Sequence, residues 1–304
     1  MLYPGVVSSR SVILSRSVIL HRSVIALLVL AAAALSTLTG ARAFDESKYP
    51  QWKGEWRRVR VDGLKGQPSY DPNKSEGLGQ QAPLTPEYQA ILQASVADQA
   101  AGGPGNDPTY TCLAPGMPRV MIVYDPMEII ITPNTTHMLM GHIHDSRRIF
   151  TDGRDWPDEI QETFAGYSIG RWIDTKRDGH FDLLEVETRG FKGPRVFDSA
   201  GLPLHEDNQS IITERIFQDP ADPNLIHDEI TTIDHALTRP WTVTKSYRRM
   251  QGARPVWREV VCAEGNQHVK IGNEAYLLSA DGYLMPTKKD QGPPDLKYFK
   301  PAQK

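Results

Sequence analysis

The sequence predicts a mainly β chain: an antiparallel lipocalin-like barrel or sandwich with one peripheral N-terminal helix. Three observations carry that expectation. Beyond Cys112 the apolar residues follow a period of two and are rich in Ile, Val and Thr. Turn pairs such as Asp152-Gly153, Asp178-Gly179 and Asp219-Pro220 interrupt them at short intervals. Only one stretch carries helix signals.

The first 43 residues read as a secretory signal. Arg10, Arg16 and Arg22 each head a copy of the same basic-apolar unit. An apolar run of about 15 residues follows, from Val24 to Leu38, and Ala41-Arg42-Ala43 places cleavage before Phe44. The run falls short of the roughly 20 residues a spanning helix needs, which disfavours a membrane anchor. Residues 44–111 form a polar lead-in in which Tyr49, Trp52 and Trp56 lay aromatic side chains on the body. Within it, Thr85-Pro86-Glu87 supplies an N-cap, a first-turn proline and an acid, opening a helix that Gly102-Gly103-Pro104 ends.

The β domain is expected over 112–264. Its strands are Arg119–Tyr124, Met127–Thr132, Thr135–Met140, Ser146–Phe150, Ser168–Ile173, Phe181–Arg189, Ser210–Phe217, Leu225–Asp234, Trp241–Arg248 and Val256–Cys262. Residues 265–304 form a tail packing on it. Cys112 and Cys262 are the only cysteines, and in an exported chain such a pair is most simply a disulfide, the alternative being two free buried thiols. Closing a loop of about 150 residues is worth roughly 4–5 kcal/mol by chain entropy.

Net charge is −3 with the basic residues scattered, which argues against a nucleic-acid partner. No later segment is apolar enough to span a bilayer, so the expected home is the periplasm or the exterior. The number of subunits is not legible.

Chemistry-bearing residues concentrate between Thr135 and Trp172. His142 and His144 share one strand face about 6.5–7 Å apart, as metal sites on barrels do. The following Arg147 and Arg148 disfavour a divalent ion, and the reading assigns no metal or cofactor. It assigns a polar ligand site instead. Arg148, Arg154 and Arg171 offer forks for a carboxylate, phosphate or enolate, with Glu187 and Trp241 as further ligand contacts. His142, His144, Asp152 and Tyr167 are the proton-moving candidates. Two plainer readings stand beside this: Arg148, Asp152 and Arg154 as a salt-bridged turn, and Trp241 as core packing.

Two motifs are set aside. Gly166-Tyr167-Ser168-Ile169-Gly170 matches a nucleophile elbow, but no helix follows the serine. Asp174 to Glu185 has the acid spacing of a calcium loop, yet Lys176 stands at an oxygen-ligand position and the flanks are not helical. It reads as a hairpin loop stitched by Lys176 to Asp174 or Asp178.

Taken together, the blocks Cys112–Arg119, Glu128–Pro133, Arg148–Arg154, Gly166–Trp172, Leu184–Thr188, Glu214-Arg215 and Arg239–Val243 resemble an uncharacterised family of exported bacterial proteins. That resemblance implies export and no particular activity. It also marks the Asp174–Asp182 hairpin as an insertion, since the family's hairpin is shorter. The functional expectation is a barrel handling a small apolar or aromatic molecule with an anionic group, by acid–base chemistry of lyase, isomerase or hydrolase type. The alternatives are a carrier without turnover and a structural envelope protein.

Overall fold

In the computed structural model nine strands close on one another in sequence order. The structure describes residues 44–61, 64, 81–123, 126–141, 145–252, 262, 268–279 and 281–295. The strands are β1 (Glu55–Val59), β2 (Met127–Ile131), β3 (Thr135–Met140), β4 (Asp145–Phe150), β5 (Tyr167–Ile173), β6 (Leu183–Arg189), β7 (Ile211–Gln218), β8 (Leu225–Ile233) and β9 (Trp241–Arg249). Closure comes from β1, which the sequence places in the lead-in. It pairs with β2 through Trp56 and Met127 and with β9 from Trp56–Arg249 to Val59–Ser246. The architecture is therefore a closed barrel rather than a sandwich.

One junction departs from the antiparallel expectation. β4 and β5 run parallel, with Ile149 opposite Ser168. Parity requires this, because an odd number of strands cannot alternate direction all the way round a ring. The parallel step falls where residues 151–166 give the chain enough length to return to the far end of the barrel.

The expected helix is α1 (Pro86–Ala100), with the Thr85 hydroxyl accepting from Tyr88 N at 3.4 Å. Its buried residues Tyr88, Leu92 and Ser95 lie one turn apart along one face. Ser95 Oγ donates to Ala200 O at 3.0 Å and Gln99 Nε2 to Ser199 O at 2.9 Å, docking the helix on the β6–β7 connection. The strand expected at Arg119–Tyr124 is instead a short helix, α2 (Arg119–Val123). A brief apolar run has no period that separates strand from helix, and here tertiary contacts decide. The Arg119 guanidinium is buried against Asp107, and the lumen-facing Tyr247 hydroxyl donates to Met121 O. Val120, Met121 and Ile122 are thereby buried in the barrel core.

The strand expected at Val256–Cys262 lies outside the described residues, apart from Cys262. That cysteine is bonded to Cys112 with Cα atoms 5.5 Å apart. The tail folds as a separate antiparallel sheet of β10 (His268–Ile271), β11 (Glu274–Leu278) and β12 (Leu284–Pro286).

Alternation sorts each strand into an inner and an outer set. Met138, Met140, Ile149, Trp172, Leu184, Val186, Ile212, Ile216, Ile226, Ile230 and Val243 fill the lumen with Trp52 and Trp56. The outer face of β5–β8 is charged, with Arg171–Glu185 at 3.1 Å and Arg215–Glu229 at 3.0 Å. A membrane barrel would turn an apolar band outward there. Among the described residues no helix is long and apolar enough to cross a membrane.

Candidate functional site

The lumen holds a polar node the sequence reading did not anticipate. Arg147 of β4 reaches across to Glu214 of β7 with both terminal nitrogens, Nη1 to Oε1 at 2.7 Å and Nη2 to Oε2. Its Nη2 also donates to Thr188 Oγ1 at 2.8 Å and to Ser168 Oγ at 3.3 Å. Ser168, the serine of the elbow-like motif, is thus an inward structural hydroxyl. Gly170 is required two residues on, because a Cβ there would stand 2.5 Å from Ile149 Cγ2.

Asp228 on β8 completes the node. No described group hydrogen-bonds to either of its oxygens, and the Glu214 charge acts on it. A like charge nearby and the loss of water both disfavour the ionised form of a carboxyl. Burial first and the Glu214 charge second push the Asp228 pKa well above its ordinary 3.8, with Arg147 opposing. A raised folded-state pKa makes this group's contribution to stability complete below the unfolded value, about 4, and progressively lost as pH rises above it. Asp228→Asn removes that titration. It is expected to stabilise the chain at about pH 8 by about 1–3 kcal/mol, the cost of a buried unsatisfied group. Its advantage should shrink as pH falls toward about 3, below the unfolded value, where Asp228 is protonated in both states. Urea unfolding at the two pH values measures both.

Among the described residues, Arg148, Arg154, Arg171, Asp152, Tyr167 and Glu187 do not converge on the lumen. Arg148 is exposed, paired across the sheet with His137, while its neighbour Arg147 points in. A one-residue change of phase exchanges the two faces of a strand. Arg171 is 75% exposed on its side chain and bonded to Glu185. Tyr167 and Glu187 also belong to the outer set of their strands. Asp152, Arg154 and Tyr167 do meet, but outside the barrel. Arg154 grips both Asp152 oxygens, lies 3.9 Å over the Phe150 ring and donates to Tyr167 Oη at 3.3 Å. Trp156 stacks beyond Tyr167 and Arg189 caps Trp156, itself bonded to Glu187 at 2.5 Å. The Arg154 bond, first among the causes, lowers the Asp152 pKa to about 2, which makes it a weak general base. Trp241 packs on Phe197 with ring centroids 4.5 Å apart and is buried in the core. His142 and His144 lie outside the described residues.

A recess forms instead at one end of the barrel, between the β5–β6 and β7–β8 turns. It is a groove of about 580 Å³. Tyr49, Phe181 and Phe217 give it aromatic walls, and Lys176, His180 and Arg215 supply nitrogen donors. The floor is rigid: Tyr49 meets Trp172 edge-on at 5.5 Å, and Trp52 lies 5.1 Å from Trp172. The Phe181 amide donates to Lys48 O at 2.7 Å, tying the hairpin to the N-terminal segment.

The acids of this groove are already satisfied by their own loops. Asp182 accepts from Thr175 N at 2.9 Å and Thr175 Oγ1 at 2.6 Å. Lys176 approaches Asp182 at 3.8 Å, rather than the expected Asp174 or Asp178. Asp178 accepts the His180 amide at 3.0 Å, and Asp174, behind the lining, takes the Asp178 and Gly179 amides. Asp219 accepts from Ala221 N, Asp222 N and His227 Nε2, the last at 2.9 Å and the first of the causes that lower its pKa. The cations are less fully used. Among the described residues Arg215 makes one hydrogen bond, to Glu229, and reaches Glu185 only at 3.9 Å. Its fork has further N–H donors, and the residue lines the groove.

Asp219, His227 and Ser246 form a chain that resembles a hydrolase triad only in composition. Ser246 Oγ sits on Nδ1 at 2.9 Å and Asp219 on Nε2, the reverse of the order a nucleophilic serine requires. Ser246 and His227 are also buried. The chain is a tether that holds the Asp219 turn on β8 and β9.

Fold and groove together define a closed β-barrel with a ligand-sized recess at its rim. No family model matches the chain, and no curated protein matches it in sequence.

Proposed function

We propose that this is an exported binding protein. Its groove takes a small aromatic or otherwise apolar molecule whose anionic group meets Arg215 and Lys176. The observation that carries the reading is the pairing of three aromatic walls with an under-used guanidinium, in a recess of small-ligand size. Binding without turnover is preferred because Asp219, the groove carboxylate with a histidine partner, is held ionised and is a poor proton acceptor. Export is supported by the signal-like N-terminus and by the disulfide, which persists in oxidising compartments.

Titration with a naphthalene carboxylate, followed by calorimetry, tests the proposal. One saturable site is expected with a dissociation constant of about 1–100 μM. Phe217→Ala and Arg215→Ala should each weaken it at least about tenfold, as losing a buried aromatic contact or a charged hydrogen bond does. Arg154→Ala should change nothing. Absence of saturable binding, or affinity unchanged from the natural chain in both groove variants, would contradict the proposal.

A further inference from the structure

The opposite end of the barrel carries a second cluster, independent of the groove. His205 and Asp207 lie on the β6–β7 connection, and His235 lies in the turn between β8 and β9. One ligand atom from each falls within 4.8 Å of the others. Asp207 stands between the rings, with Oδ1 3.0 Å from His205 Nδ1 and Oδ2 2.6 Å from His235 Nδ1. The ring centroids are 5.4 Å apart and the planes nearly perpendicular. Donors about 2.1 Å from a tetrahedral ion are about 3.4 Å from one another, so these separations bracket what such an ion needs.

The two loops are held in register from beneath. Buried Asp234 accepts from His205 N at 2.9 Å and from Ala236 N at 2.8 Å, and Ser210 Oγ donates to its other oxygen. A single carboxylate thus fixes the backbone beside both imidazoles. Tyr88 of α1 stacks on His205 with centroids 5.4 Å apart, setting that ring's plane. His205 Nδ1 accepts the Asp207 amide at 3.1 Å and also faces the Asp207 carboxylate. Either a proton on Nδ1 or a metal ion can bridge that nitrogen and the carboxylate.

We infer that His205, Asp207 and His235 form a surface site for a divalent transition-metal ion, zinc in particular, with at least one coordination position left open. Two imidazoles and one carboxylate suit such an ion better than calcium or magnesium, which prefer all-oxygen shells. The open position would take water or a donor atom from an incoming molecule.

Calorimetric titration of the untagged, chelator-stripped chain with zinc chloride tests this. About one equivalent per chain is expected, and magnesium chloride should give no heat of binding. His235 is 64% exposed on its side chain, so His235→Ala should fold normally. It should lose at least about tenfold in zinc affinity, since even outer-shell losses cost that much. Asp207→Asn should do the same, and cobalt should produce a tetrahedral visible spectrum that both variants abolish. No zinc uptake, or uptake with unchanged affinity in both variants, would overturn the inference.

Discussion

Arg147→Met is expected to destabilise the barrel by about 3–5 kcal/mol, the usual result of removing one partner from a buried ion pair. The Glu214 side chain is fully buried and Arg147 is only 2% exposed. Methionine would leave the carboxylate with no counter-charge, beside an Asp228 that already lacks a donor among the described residues. Ser168 and Thr188 would lose their shared guanidinium as well. The cost is that of the orphaned charge, not of the pair. Arg147→Met with Glu214→Leu should therefore recover most of the loss, because well-packed apolar residues replace such pairs at little cost. Urea unfolding of the two single variants and the double variant gives the coupling directly. A single-variant loss under about 1 kcal/mol would mean that water reaches the lumen.

Removing the disulfide should cost a similar amount. Cys112 and Cys262 are 150 residues apart in sequence, and release of so long a loop in the unfolded chain is worth about 5 kcal/mol by chain entropy. The bond joins the turn after Pro108–Thr111 to the segment that follows the last barrel strand. Cys112→Ser with Cys262→Ser should match the reduced natural chain in denaturation midpoint. Oxidised natural chain should stand well above both. Coincidence of all three curves would contradict the entropic account.

Much of the fold was legible because the inward residues repeat every second position. β3, β5, β7, β8 and β9 fall within a residue or two of their expected bounds. β1 was hidden by Arg57 and Arg58, which give its five residues no apolar alternation, and the count of nine depended on it. The parallel junction was invisible for the same reason, since an even ring needs none.

The site was less legible, and the adjacent pair Arg147-Arg148 shows why. Apolar Ile149 and Phe150 follow, so either phase of β4 looks amphipathic. Only pairing with β3, where Arg147 sits opposite Met138 and Ile149 opposite Thr136, fixes which arginine enters the lumen. A signal for the buried acids did exist. Glu214 stands between Ile212 and Ile216, and Asp228 between Ile226 and Ile230, each acid bracketed on its own face by isoleucine. An acid on an otherwise apolar face is a buried acid in need of a partner. The groove had no such signature, because it arises from two turns and an N-terminal segment remote from one another in sequence.

The central claim is a filled lumen with the ligand held at the rim, and amide hydrogen exchange with and without a saturating naphthalene carboxylate tests it most directly. Protection should rise at Thr175–Leu183, at Phe217–Asp219 and around Tyr49, while the centres of β4, β7 and β8 stay unchanged. Protection gained at Arg147, Glu214 and Asp228 instead, with none at the rim, would place the ligand inside the barrel and contradict the account.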